Sequence, residues 1–137
     1  MSTLAKALTA AAGNAGVADA PNVEDVFSTY LFDDSSYSST PVTVNNGIDL
    51  DGEGGMVWVK SRTSNSSITH SHFLSDTERG WGKRLSTDTT AAQTQNEPWN
   101  IVDQFNSDGF RYSNGDSVAQ DYASWTFRKA PRFFDVV

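Results

Sequence analysis

Three stretches of this sequence combine residue types and spacings that are capable of chemistry. In "DLDGEGG", Asp49, Asp51, Glu53 and Gly54 stand where a twelve-residue calcium loop places its first, third and fifth ligands and its glycine. The twelfth position, which needs a bidentate carboxylate, is Lys60, and no helical pattern flanks the stretch. An acidic, glycine-rich hairpin turn is therefore the better reading. His70 and His72 alternate in "THSHF". On a strand both rings leave the same face about 6.5–7 Å apart, close enough to share a metal around a symmetry axis. No third ligand stands at a matching spacing, so they are weak metal candidates beside their plainer role as polar-face strand residues. The third stretch is "SDTERGWGKRLSTDTT", where Trp81 lies between Gly80 and Gly82 with Arg79, Lys83 and Arg84 around it. As an exposed platform Trp81 would stack on a sugar ring, with Arg79 and Trp99 as further candidate glycan contacts. As a bend it would bury the indole under the stems of the basic residues, which the usual burial of tryptophan favours.

Signatures of catalysis are missing. The chain contains no G-x-S-x-G elbow, no phosphate loop and no H-E-x-x-H. Asp33 and Asp34 adjoin, and neighbours on a strand point to opposite faces. Neither catalytic residues nor a cofactor is expected, and the chain is not expected to be an enzyme.

The elements that must position these residues are short strands. From Val23 onward the apolar pattern has period two: "VFSTYLF", "TPVTV", "GIDL", "GMVWVK", "ITHSHFL", "NIVDQF", "DGFRY" and "YASWTFR" are separated by turn chemistry such as "NNG", "DGEGG" and "NSDG". Eight such segments predict an all-β, antiparallel β-sandwich of jelly-roll or lectin-like type. In "GMVWVK" Val57 and Val59 face one way and Met56, Trp58 and Lys60 the other, which predicts a strand central to its sheet. Val57, Trp58, Phe110, Trp125 and Phe127 are the expected core. Residues 86–98 read as a polar surface loop. Before the strands, Leu4 and Leu8 with Ala7 and Ala11 make one apolar stripe on a short helix stopped by Gly13 and Gly16. The predicted organisation is an N-terminal anchoring arm over residues 1–22, helical or extended, the sandwich over 23–131, and the start of a following module or inter-subunit strand over 132–137.

Composition narrows the partners. The 137 residues suit one domain, and eight Phe, four Tyr and four Trp supply a real core. A net charge of −7 leaves no basic stripe to displace counterions from phosphates, which argues against a nucleic-acid ligand. With no Cys, disulfides, thiolate metal sites and cysteine nucleophiles are all excluded. No apolar run reaches the roughly 18 residues of a membrane span, so membrane insertion is not expected. "LAKALTAAA" is too short and weakly apolar for a secretory leader.

Taken together, "GEGGMVWVKSR", "HFLSDTERGWGKRLSTDTTAA", "FNSDGFRY" and "YASWTFRKAPRFFDVV" resemble a domain without assigned biochemistry that recurs in tail-fibre and tail-tip structural proteins of tailed bacteriophages. The resemblance runs over roughly residues 27–137. It implies a virion component made in the host cytoplasm, an attachment module joining a fibre to the baseplate or hub, most simply as a homotrimer in contact with other tail proteins. Its relatives carry no agreed catalytic residues. Leu4, Leu8, Phe133, Phe134 and Val136 are the residues expected to serve assembly, because apolar ends and strand edges are covered by neighbouring chains in such oligomers. The alternative is a glycan-binding module that meets the host surface.

Overall fold

A computed structural model describes residues 20–34, 40–63, 71–95, 100–113 and 119–137. It has the expected all-β architecture: two antiparallel sheets face each other across one core. In chain order the elements are α1 (Val23–Val26), β1 (Phe27–Asp33), β2 (Val42–Asn45), β3 (Gly55–Ser61), β4 (Phe73–Asp76), β5 (Lys83–Ser86), β6 (Thr94–Gln95), β7 (Ile101–Asn106), β8 (Gly109–Ser113) and β9 (Asp121–Arg128). One sheet runs β1-β9-β3-β4-β5-β6 and the other β2-β8-β7. β3 lies between β9 and β4, as its two apolar faces require.

The core is built from the alternate residues that face the opposite sheet. Val57 and Val59 of β3 and Tyr122 of β9 meet Val44, Val102, Phe110 and Tyr112, with Ile48 and Leu50 closing one end. Phe32 lies among the rings of Phe110, Tyr112 and Tyr122, with centroids 5.1–6.1 Å away. Two polar pairs bridge inside: Asn46 Nδ2 donates to Thr126 Oγ1 (2.8 Å), and Ser61 Oγ donates to Gln120 Oε1 (2.8 Å).

Several sequence expectations change in detail. Val23–Val26 forms a helical turn rather than strand, started by the Asp25 N–H to Asn22 O bond and favoured by two acids at its N-terminus. "GIDL" is a loop that still buries Ile48 and Leu50. The loop expected over residues 86–98 contains β6, paired with β5. Trp58, Trp125 and Phe127 are not core residues: they lie half-buried on the outward face of the six-stranded sheet, while Val57 and Phe110 are fully buried. Leu4, Leu8, His70 and Trp99 fall outside the described residues, as does most of the expected arm.

Candidate functional site

The turn "DTERG" forms a structural clamp. Asp76, fully buried, accepts the Arg79 N–H at 2.8 Å and pairs with the Arg79 guanidinium. Thr77 Oγ1 accepts the Gly55 N–H (2.9 Å), and Glu78 pairs with Lys129 at the end of β9 (2.8 Å). Arg79 is thereby held against the protein, with its side chain 36% exposed. The ordinary pKa of Lys129 is raised by its hydrogen bond to Glu78, with Asp135 also nearby.

This clamp holds a turn that presents Trp81. Gly80 and Gly82 adopt φ of +87° and +75°, values that side chains rarely tolerate, and the Gly82 N–H donates to Val102 O of β7 (3.1 Å). The indole between them is 70% exposed, which overturns the buried-bend reading. Average burial fails here because both flanking residues lack side chains to cover the ring. Beside Trp81 a cleft of about 550 Å³ is bounded by Asp51 and by residues 104–108 of the β7–β8 hairpin.

The far wall of that cleft is fixed from behind. Asp108 O accepts the N–H groups of Asn46 and Gly47 (2.9 and 3.0 Å), and Asn106 O accepts those of Leu50 and Asp51 (2.9 and 3.2 Å). Gly109 is required at this hairpin, since a Cβ there would stand 1.9 Å from Val44 O. Sequence spacing did not connect Trp81 with Gln104, Asn106 and Asp108. The bonds from Gly82 N–H to Val102 O (3.1 Å) and from the Arg84 guanidinium to Asn100 O (2.7 Å) bring those stretches together.

A second surface lies on the outward face of the six-stranded sheet. Trp58 and Trp125 are cross-strand partners with rings 5.3 Å apart, and His72 packs 6.0 Å from Trp58. Phe27 and Phe127 pair at 4.9 Å. Phe134 stacks on Phe127 at 5.4 Å because the chain turns back after Pro131, with reciprocal bonds between Ala130 and Phe134. Phe133 is exposed beside this turn, Val136 is half-buried, and an open groove of about 600 Å³ runs along it.

Among the described residues this face ends at β1, whose outer edge has no partner strand. Asp34 N–H donates to Gln120 O, so by alternation the even-numbered residues of β1 bond to β9 and Thr29, Leu31 and Asp33 turn their N–H and C=O groups outward. Leu31 on this edge is 62% exposed. The other sheet edges are blunted. β6 has two residues, β2 follows Pro41, and β7 carries an irregularity between Val102 and Gln104, accepts the Gly82 N–H at Val102 O and is preceded by Asn100, whose carbonyl takes the Arg84 guanidinium.

The remaining candidates have local roles. Asp49 Oδ1 accepts the Gly52 N–H (2.8 Å) and closes the turn before β3. Among the described residues no group of three or more His, Asp or Glu is placed to hold a metal ion, and no helix is long and apolar enough to cross a membrane.

No curated protein and no solved structure matches the chain. Residues 23–132, which span the sandwich, its clamp and the Trp81 cleft, match one family, and the chain belongs to it: the domain of unknown function DUF7483.

Proposed function

We propose that this chain is a structural connecting module of a tailed bacteriophage particle, placed where a tail fibre or tail-tip protein joins the baseplate or hub. It acts by assembly, not catalysis. The observation that supports this most directly is the aromatic outward face continuous with the open edge of β1. Monomeric proteins blunt long apolar edges, and β1 has seven residues with no Lys, no Pro and no bulge. An arriving strand would gain main-chain hydrogen bonds from Thr29, Leu31 and Asp33, while Leu31 and Tyr30 supply side-chain contact on the two faces. The likeness of the "MVWVK", "SDGF" and "WTFRKAP" segments to tail proteins supports the phage setting, with three copies as the expected stoichiometry.

Mass spectrometry of purified particles made by the genome that encodes the chain tests the setting; its absence from them would sink the proposal. Sedimentation of the purified chain tests the mechanism. The native chain should associate, and Thr29→Pro should leave a folded monomer, because that N–H faces away from β9 and its loss spares the β1–β9 ladder. Association undiminished in that variant would rule out the edge as the joining surface.

A further inference from the structure

The outward face explains assembly but leaves the Trp81 cleft unused, and that cleft has the chemistry of a binding site. We infer that it holds a neutral sugar ring of an oligosaccharide, with the indole as platform and the hairpin opposite as hydrogen-bonding wall.

An apolar ring with 70% of its surface in water is unfavourable for a free-standing domain, and the fold spends two positive-φ glycines, a buried aspartate and a bond between the sheets to hold it there. A tryptophan face offers a flat, polarisable surface that suits the axial C–H groups of a pyranose. The wall completes the match. Asp51 and Asp108 supply carboxylate acceptors, and Gln104 and Asn106 supply amides that both donate and accept. None of these four side chains makes a hydrogen bond among the described residues, whereas Arg111 on the same hairpin is taken by Asp103 (2.8 Å). Vicinal sugar hydroxyls, each both donor and acceptor, are the groups such a set can satisfy. The volume of about 550 Å³ falls within the range of small-molecule sites, about 300–1,000 Å³.

Charge selects within the class. The lining contains two carboxylates and neither Lys nor Arg, so sialic and uronic acids are repelled and neutral hexoses accepted. The main-chain bonds that fix both walls mean that little ordering is left to occur on binding. The cleft also lies far from the β1 edge: β4, which leads into the Trp81 turn, is three strands from β1, roughly 14 Å at the usual spacing of about 4.8 Å. One surface can therefore bind sugar while the other is occupied by a neighbour.

The test is titration of the purified chain with gluco-, galacto- and manno-oligosaccharides, followed by tryptophan fluorescence and saturation-transfer NMR, with oligogalacturonate and a sialylated oligosaccharide as anionic controls. At least one neutral sugar should bind saturably and the anionic controls should not. Trp81→Ala should weaken that binding by at least about tenfold, and Asp108→Asn should weaken it with the thermal midpoint unchanged. The Thr29→Pro chain should bind as the native one does, which separates this inference from the assembly proposal. Silence across the neutral panel, binding that survives Trp81→Ala, or preference for the anionic sugars would each overturn it.

Discussion

The two sheets turn very different faces to the outside. The three-stranded sheet presents Thr43, Asn45, Gln104 and Arg111, with Arg111 paired to Asp103. The six-stranded sheet presents the exposed Leu31 and the ring pairs Phe27–Phe127 and Trp58–Trp125. Both sheets bury their opposite sides in the same core. The first outward face is finished for water. The second is rich in aromatics, as the centre of a protein interface is, with Lys60, Asp33 and Asp121 gathered at one end. Alternation along a strand thus says which residues share a face, but the position of the other sheet decides which face is the core.

The sharpest way to test that division is to compare large-to-small changes on its two sides. Phe110→Ala, on the core side, should cost about 3–5 kcal/mol in denaturant unfolding. Trp58→Ala removes a larger side chain from the outward face and should cost less, about 1–2 kcal/mol, since its ring is only half-buried. Equal costs would mean that the outward face is covered within the monomer, and the contrast would fail. Trp58→Ala should also weaken self-association, which Phe110→Ala should affect only through unfolding.

The edge of β1 offers a finer comparison between adjacent residues. Tyr30→Pro deletes a donor to β9 and should lower stability by about 1–3 kcal/mol. Thr29→Pro deletes a donor that points away from the sheet, and its thermal midpoint should stay near that of the native chain. Reversal of that order would show that the register inferred for the free edge is wrong.

Much of this was legible in the sequence. Period-two segments gave the sandwich, "NSDG" the hairpin, and "GMVWVK" the central strand with its two faces. What escaped was tertiary. Trp58, Trp125 and Phe127 look like core by size and type, and nothing local to them tells which side the three-stranded sheet will cover. β5 and β6 were hidden because "KRLS" and "TQ" have no apolar alternation and pair only as an extension of β4. Asp76 reads as a surface turn residue until Arg79 folds back to neutralise it. The glycines around Trp81 were visible, yet they fit a buried bend as well as an exposed platform. Its partners Asp51, Gln104 and Asp108 are distant in sequence, so no spacing rule reaches them.

The smallest expected effect lies where the C-terminal turn meets the outward face. Lys129 is bonded to Glu78 and lies 3.6 Å from Asp135, which tethers the turn that places Phe134 on Phe127. These partners raise its folded pKa above the ordinary lysine value of 10.5. A raised pKa means that the folded chain holds this proton more tightly than the unfolded one, so the stabilisation is complete below 10.5 and is lost as pH rises through the folded value. Thermal melts of the native chain and Lys129→Gln should therefore differ by a small, constant amount from neutral pH into the mildly alkaline range, and converge as pH rises through the folded value. High salt should shrink the difference, because the pair is solvent-accessible. A gap that widens with alkalinity would have the wrong sign for this linkage and would locate the anchor of the turn in the Phe127–Phe134 stacking alone.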